Sequence, residues 1–278
     1  MALGGASSFQ TRLARELQHR GHVVLSESFG IRANADAVLI NGALGKGLPK
    51  LLVSRLAGTK PVHRLDGMYW RHKVNKISPK TRLRQAIYNR SMRLVRSISS
   101  SIVYQSNFVQ QWWEKEAGVA KASSAVIYNA VDLEEFSPKK VRNQAGGRRI
   151  LMAEADIEKD VYTTSVLKLL PPLLRKSGRV DSVSLYGKIS DEFSRELSSV
   201  EGLAVFGPVA RERMPEIISE HDVYVSMDVH AACPNTPIES LSSGVPVAGF
   251  ATGALPELID KSCGVVVPYG SDAWQLGP

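Results

Sequence analysis

The chain has 278 residues, 44% of them apolar and 22% charged, and a formal net charge of +8; this excludes a disordered or fibrous chain and leaves room for one large domain or two ordinary ones. No apolar run approaches the ~18 residues of a membrane-spanning helix, and the first residues lack a signal peptide's order of basic, apolar and small segments. Two cysteines, Cys233 and Cys263, exclude a disulfide framework and a cysteine metal cluster and leave a reducing cytosol as the default compartment.

In chain order, residues 8–20 predict a helix, with Phe9, Leu13, Ala14 and Leu17 on one face and Gly21 as its C-cap. Apolar runs at 23–25, 37–40 and 61–65 predict strands, with a helix at 48–57 between the last two. A longer helix is predicted over 78–98: Ser78 suits the N-cap, Pro79 the first turn, and Leu83, Ile87, Leu94 and Ile98 fall on one face. A strand at 102–105, a helix at 106–117 and a strand at 125–128 complete the first half. The second half predicts strands at 149–153, 183–186, 203–206, 223–226, 245–249 and 265–267. Its predicted helices are 161–176, 191–198, 212–221, 237–243 and 255–260.

Strands spaced by helices throughout argue an α/β protein whose parallel sheets carry helices on both faces. The charge divides the chain. Residues 1–145 carry 23 Lys and Arg against 9 Asp and Glu, and residues 146–278 carry 12 against 18. A basic half joined to an acidic half reads as two domains with different partners, 1–141 and 147–278. The polar stretch KKVRNQAGGRR, at 139–149, reads as the linker. Two such sheets place a ligand cleft between the domains, outside the carboxyl ends of the strands.

The chemistry concentrates in a few blocks. VFGPVARERMP (205–215) is followed by DVYVS (222–226), CPNTPIE (233–239), SGVPV (243–247) and GALPELI (253–259). The first half ends on VIYNAVD (126–132), with Phe136 and Pro138 beyond it. Together these blocks resemble the retaining glycosyltransferases of family 4, whose GT-B fold sets two Rossmann-like domains facing each other across a cleft. The resemblance runs from Gly4 to Pro268, and its dense parts are 126–138 and 205–268. It implies a nucleotide-diphosphate sugar as donor, retention of configuration, and no obligatory metal or other cofactor.

The residues agree physically with that implication. CPNT precedes a helix whose first N–H groups favour a diphosphate through oriented donors and the positive end of the helix dipole, so Asn235 and Thr236 are donor-binding candidates. Glu239 falls one turn into this helix, where a carboxylate can accept hydrogen bonds from two vicinal ribose hydroxyls. It matches the family's second conserved glutamate; by itself it would read as a capping or surface residue. Gly207, Pro208 and Val209 match the loop that holds the nucleotide base, although an ordinary strand-to-helix turn has the same appearance. Gly4 and Gly5 match the glycine loop that opens the first helix on the opposite wall of the cleft; flexible terminal sequence is the plain alternative. Lys159 keeps the lysine of the family's Glu-Lys-Gly and could neutralise a diphosphate, or it is a solvated surface lysine.

Two departures stand out. Ala231 occupies the position of the family's first acidic residue, eight before Glu239, with Asp228 and His230 nearby. Glu154, after Ala153, replaces the arginine of the family's Gly-Arg pair. In the first half, VHRLDG (62–67) ends a strand facing the cleft. Asp66 takes the place of the family's sugar-contacting histidine, or caps its own loop as an Asx turn; His63 reads as packed within the fold. Asp66, Lys159 and Glu239 are the candidate catalytic residues.

Residues 64–96 hold ten Lys or Arg against one acid, Asp66. Arg64, Asp66, Tyr69, Trp70 and Arg71 are candidates for an acceptor or membrane side. The bland reading of such a run is a solvated helix face. The sharper one is attraction to anionic lipid headgroups or an anionic acceptor, with association at the cytoplasmic face of a membrane. No recognised nucleic-acid module accompanies the charge, which argues against that partner. Trp112 and Trp113 read as packing residues, and nothing near Cys233, Ser242 or Ser243 marks a nucleophile.

The expectation is a hexosyltransferase-type enzyme acting on a carbohydrate, lipid-linked or small-molecule acceptor. A second reading, motivated by Ala231 and Glu154, is a catalytically silent GT-B protein that binds a nucleotide sugar or a partner; a sugar-nucleotide epimerase is a third. The resemblance also implies a strand ahead of Gly4 and helices after 267, so the chain reads as short at both ends.

Overall fold

A sheet of parallel strands forms the centre of each of two units, which divide between Tyr128 and Asn129. The computed structural model describes residues 5–25, 35–45, 47–70, 77–138, 147–159, 161–268 and 270. Of the expected linker 139–149, residues 139–146 lie outside the described residues, and Arg148 and Arg149 already belong to the strand Arg148–Asp156.

The first unit runs α1 (Gly5–His19), β1 (Ala37–Asn41), α2 (Leu48–Leu56), β2 (Lys60–Leu65), α3 (Pro79–Ile98), β3 (Ser101–Tyr104), α4 (Asn107–Ala117) and β4 (Ser123–Val126). Its strands lie in the order β1-β2-β3-β4, all parallel. The caps explain where the helices begin. Ser78 Oγ accepts the Thr81 N–H at 3.3 Å, and Ser106 Oγ accepts the Val109 N–H at 3.2 Å. The buried Arg96 of α3 donates to the Gly118 carbonyl at 2.6 Å, so a cation meets the carboxyl end of the α4 dipole. Leu65, Met92, Val95, Ile102, Trp112 and Trp113 fill the core.

Two expectations fail in this unit. Residues 23–25 are not a strand: Val23 is 89% exposed, and so short an apolar run has no ladder partner among the described residues. In α3 the predicted apolar face does not pack as one face. The helix buries Met92, Val95 and Arg96, while Leu83, Ile87 and Leu94 remain exposed.

The second unit runs β5 (Arg148–Asp156), α5 (Val161–Lys176), β6 (Val180–Lys188), α6 (Asp191–Leu197), β7 (Leu203–Gly207) and α7 (Met214–Ser219). It continues through β8 (Val223–Val225), α8 (Asn235–Ser242), β9 (Val247–Phe250), α9 (Leu255–Leu258) and β10 (Gly264–Val267). One-turn 3-10 helices at Ile157–Lys159 and Arg211–Arg213 follow β5 and precede α7. The order is β10-β9-β8-β5-β6-β7, with every pair parallel. This is the doubly wound arrangement, in which the chain works outward from β5 in one direction and then returns to its other side at β8.

Both faces of this sheet are covered, which accounts for the unbroken apolar run of β5. Ile150 and Met152 pack with Leu167, Phe193 and Leu197 from α5 and α6 on one face. Leu151 and Ala153 pack with Ile217, Ile218 and Leu255 from α7 and α9 on the other.

Candidate functional site

The reversal of winding opens a crevice beyond the carboxyl ends of β5 and β8, where ligands of such sheets bind. From β5 the chain turns through Ile157–Lys159. From β8 it runs through residues 226–234 into α8, so this crevice has the start of α8 on one side. Pro234 sits extended at the N-cap and provides no side-chain cap, and Pro237 has no N–H. Pro234 therefore offers the first N–H groups of α8 no side-chain acceptor that would compete with an anion.

Asn129 fixes this helix start. Its side-chain amide donates to the Cys233 carbonyl at 2.7 Å and to Asn235 Oδ1 at 2.9 Å, and its backbone N–H donates to Cys233 Sγ at 3.3 Å. One turn in, Glu239 is 2% exposed, and its Oε1 accepts Nη2–H of Arg211 at 2.6 Å. Tyr224 of β8 donates its hydroxyl to the Ala153 carbonyl at 3.1 Å, bridging the two strands at the reversal. Burial raises its pKa well above the usual phenol value, and the charges of Glu154, Asp228 and Glu239 push it the same way.

The loop between β8 and α8 is held from outside. His230 has φ +60°, a left-handed conformation unusual for a side-chain-bearing residue, and its Nδ1 lies 3.0 Å from the Thr252 hydroxyl. Burial lowers its pKa from 6.5 to about 4. A side chain at Gly253 would come within 2.6 Å of the Ala231 nitrogen, and the Ala254 N–H donates to the Ala231 carbonyl at 2.9 Å. Gly207 turns the chain after β7 with φ +71°, and Pro208 and Val209 follow it. Beside that turn the exposed Phe206 stacks on Tyr186 with ring centres 4.8 Å apart.

Lys159 ends the 3-10 turn after β5, and its side chain lies outside the described residues. Its neighbour Glu158 is used locally, accepting the backbone N–H and hydroxyl of Ser190. In the first unit, Asp66 directly follows β2, and its carbonyl accepts Nε1–H of Trp113 at 2.8 Å. Arg64 and Trp70, expected on an acceptor or membrane side, are buried at 4% and 8% exposure. Arg64 donates to Asn41 Oδ1 at 3.1 Å and lies 3.7 Å over the Phe9 ring, so it packs the unit rather than facing a partner. Tyr69 is 42% exposed and exchanges two hydrogen bonds with Asn89. Gly5 begins α1, whereas Gly4 and Arg71 lie outside the described residues.

Residues 162–276 match the family model described as Glycosyl transferases group 1. This segment is similar to that glycosyltransferase family over less than half of the chain. No curated protein sequence matches the chain. Solved structures extend the likeness into the first unit. WaaG, a glycosyltransferase involved in lipopolysaccharide biosynthesis, is 14% identical with a TM-score of 0.68, covering 99% of this chain and 86% of its own. Sucrose-phosphate synthase from Thermosynechococcus elongatus is 13% identical with a TM-score of 0.61, over 96% of this chain and 65% of its own. The pneumococcal O-GlcNAc transferase GtfA, solved in complex with UDP and GlcNAc, is 14% identical with a TM-score of 0.56, over 84% of this chain and 46% of its own. The chain thus spans less than two thirds of the length of the last two. At these identities the likeness shows the fold, which is the GT-B pair of parallel α/β sheets.

Within the group 1 segment, sequence reasoning singled out Asn235, Thr236, Glu239 and the Gly207–Val209 turn. It passed over Arg211, Tyr224 and Thr252 there, and Asn129 outside that segment. All four lie in or beside the quoted motif blocks, but only their contacts mark them. No helix among the described residues is long and apolar enough to cross a membrane.

Proposed function

We propose that the chain is a hexosyltransferase of the family 4 type, moving a sugar from a nucleotide-diphosphate sugar to an acceptor with retention of configuration. The observation that carries this reading is Glu239, a carboxylate buried one turn inside α8 where the winding of the sheet reverses. The start of α8, with Asn235 and Thr236, receives the diphosphate, and Glu239 receives ribose hydroxyls. The Gly207-Pro208-Val209 turn is assigned to the base, and Gly4 and Gly5 are assigned to donor binding. Lys159 offsets charge on the leaving diphosphate, and Asp66 meets the transferred sugar. Catalysis then rests on positioning and on stabilising the leaving group's charge, with no obligatory metal. The complex of the pneumococcal relative with UDP and GlcNAc supports a nucleotide donor. The acceptor is a carbohydrate, a lipid-linked glycan or a small molecule.

The test is transfer or hydrolysis of a panel of nucleotide-diphosphate sugars. Glu239→Ala should weaken nucleotide binding by about 10-fold or more, because a buried, charged hydrogen-bonding group is lost. Unchanged affinity and turnover would remove Glu239 from the site.

A second reading, donor binding without transfer, is favoured by Ala231. Its backbone is clasped by Gly253 and Ala254, and its side chain has no acid to offer. Release of sugar above the background rate excludes that reading.

A further inference from the structure

Glu239 is nearly sealed from water, and a guanidinium already holds one of its oxygens. Arg211 opens the 3-10 turn just beyond Gly207-Pro208-Val209, and its side chain is 23% exposed. It lies between two groups, the Glu239 carboxylate at 2.6 Å and the Phe136 ring, whose centre is 5.4 Å from the guanidinium carbon. Phe136 is itself fully buried, and its carbonyl accepts the hydroxyl of Ser242 on α8. Arg211 is thus clamped at the junction of the base-side turn, the 129–138 segment and α8.

Negative charges lie nearby at the strand ends. Glu154 and Asp228 both act on the Tyr224 hydroxyl, as Glu239 does. A buried carboxylate next to a polyanionic ligand is repulsive unless something neutralises it. Arg211 is placed to do so through Oε1, leaving Oε2 for a ligand hydroxyl.

We propose that Arg211 is the counter-charge of the nucleotide site. It stays paired with Glu239 when a nucleoside diphosphate binds, and it determines the preference for the diphosphate over the uncharged nucleoside. This rests on the donor reading of Glu239.

The experiment uses the full chain and titration calorimetry with UDP, ADP and GDP, followed by the nucleoside of whichever binds most tightly. Arg211→Ala should weaken the diphosphate by about 10-fold or more, the scale of truncating one partner of a buried charge pair, and the nucleoside by less than about 3-fold. Arg211→Lys should restore most of the diphosphate affinity, whereas Arg211→Gln should not. The double variant Arg211→Ala with Glu239→Gln should bind the diphosphate more tightly than Arg211→Ala, because the uncompensated carboxylate is gone. If Arg211→Ala fails to fold, the Lys and Gln variants decide the matter between them. Equal losses for diphosphate and nucleoside, or Gln behaving as Lys does, overturn the proposal while leaving the donor reading intact. If none of the three diphosphates binds the unaltered chain, the donor reading fails and the role of Arg211 fails with it.

Discussion

His63 shows how a single side chain couples this fold to pH. It is fully buried on β2, with Nε2–H donating to the Gly42 carbonyl at 2.8 Å and Nδ1 without a partner. Burial lowers its pKa from 6.5 to about 4, so the folded chain keeps the ring neutral. The unfolded chain takes up this proton near pH 6.5, and the folded chain only near 4. Stability is therefore complete above about pH 6.5 and is lost as pH falls from there toward 4, by at most about 1.4 kcal/mol per pH unit for each such histidine. His230, also lowered to about 4, adds to the same slope. Urea midpoints measured from pH 7.5 to 4.5 should fall, and His63→Gln should flatten part of that fall. A midpoint independent of pH in this window contradicts the buried neutral ring. The sequence did mark His63 as a packing residue. It could not mark Arg211, because the partner that gives this arginine its meaning is 28 residues away.

Helix α3 carries the basic stretch, and its two halves behave differently. Its C-terminal half is anchored by Met92, Val95 and Arg96, while Leu83, Ile87 and Leu94 form an exposed apolar stripe with Arg90 within it and Arg84 and Arg93 beside it. Such a face suits an anionic membrane surface: apolar side chains enter the headgroup region and cations meet lipid phosphates. The chain should float with anionic vesicles at low salt and be released at high salt, since the attraction is screened. Leu83→Ser with Ile87→Ser should reduce flotation and leave thermal stability unchanged, because both side chains are already exposed. Absence of flotation at low salt would sink this reading. The position of α3 was legible from Ser78, Pro79 and the helical period. The side it buries was not, because that depends on what the rest of the unit presents to it.

At the level of the fold, the basic and acidic halves of the chain each carry a parallel sheet, and the proposed donor site lies in the acidic second unit. A nucleotide-diphosphate sugar that binds the folded state should raise its stability, by about 2.7 kcal/mol at a concentration 100 times Kd. In a scan this is a rise of several degrees. A panel of donors therefore ranks the base and sugar, and a flat response across the panel counts against the donor reading. Turnover should survive exhaustive chelation within about 2-fold, as expected if charge on the leaving diphosphate is offset by Lys159 and the α8 dipole rather than by a required metal. Loss of activity restored by a divalent cation would refute that expectation.

Most helices and strands could be read from the order of residues, because period, caps and turns are local properties of the backbone. Ser78, Pro79 and the ILMA run of β5 needed no knowledge of distant partners to be placed. The segment 23–25 shows the limit of such reading, since a strand exists only where a neighbour pairs with it. The motif blocks pointed to Glu239 and the start of α8 as the site. Folding alone brought Asn129 to Asn235 across 106 residues, set Arg211 on Glu239, and bound the Ala231 backbone beneath Gly253. Those contacts join segments far apart in the chain, and close packing of the second unit, rather than any local pattern, selects which groups meet.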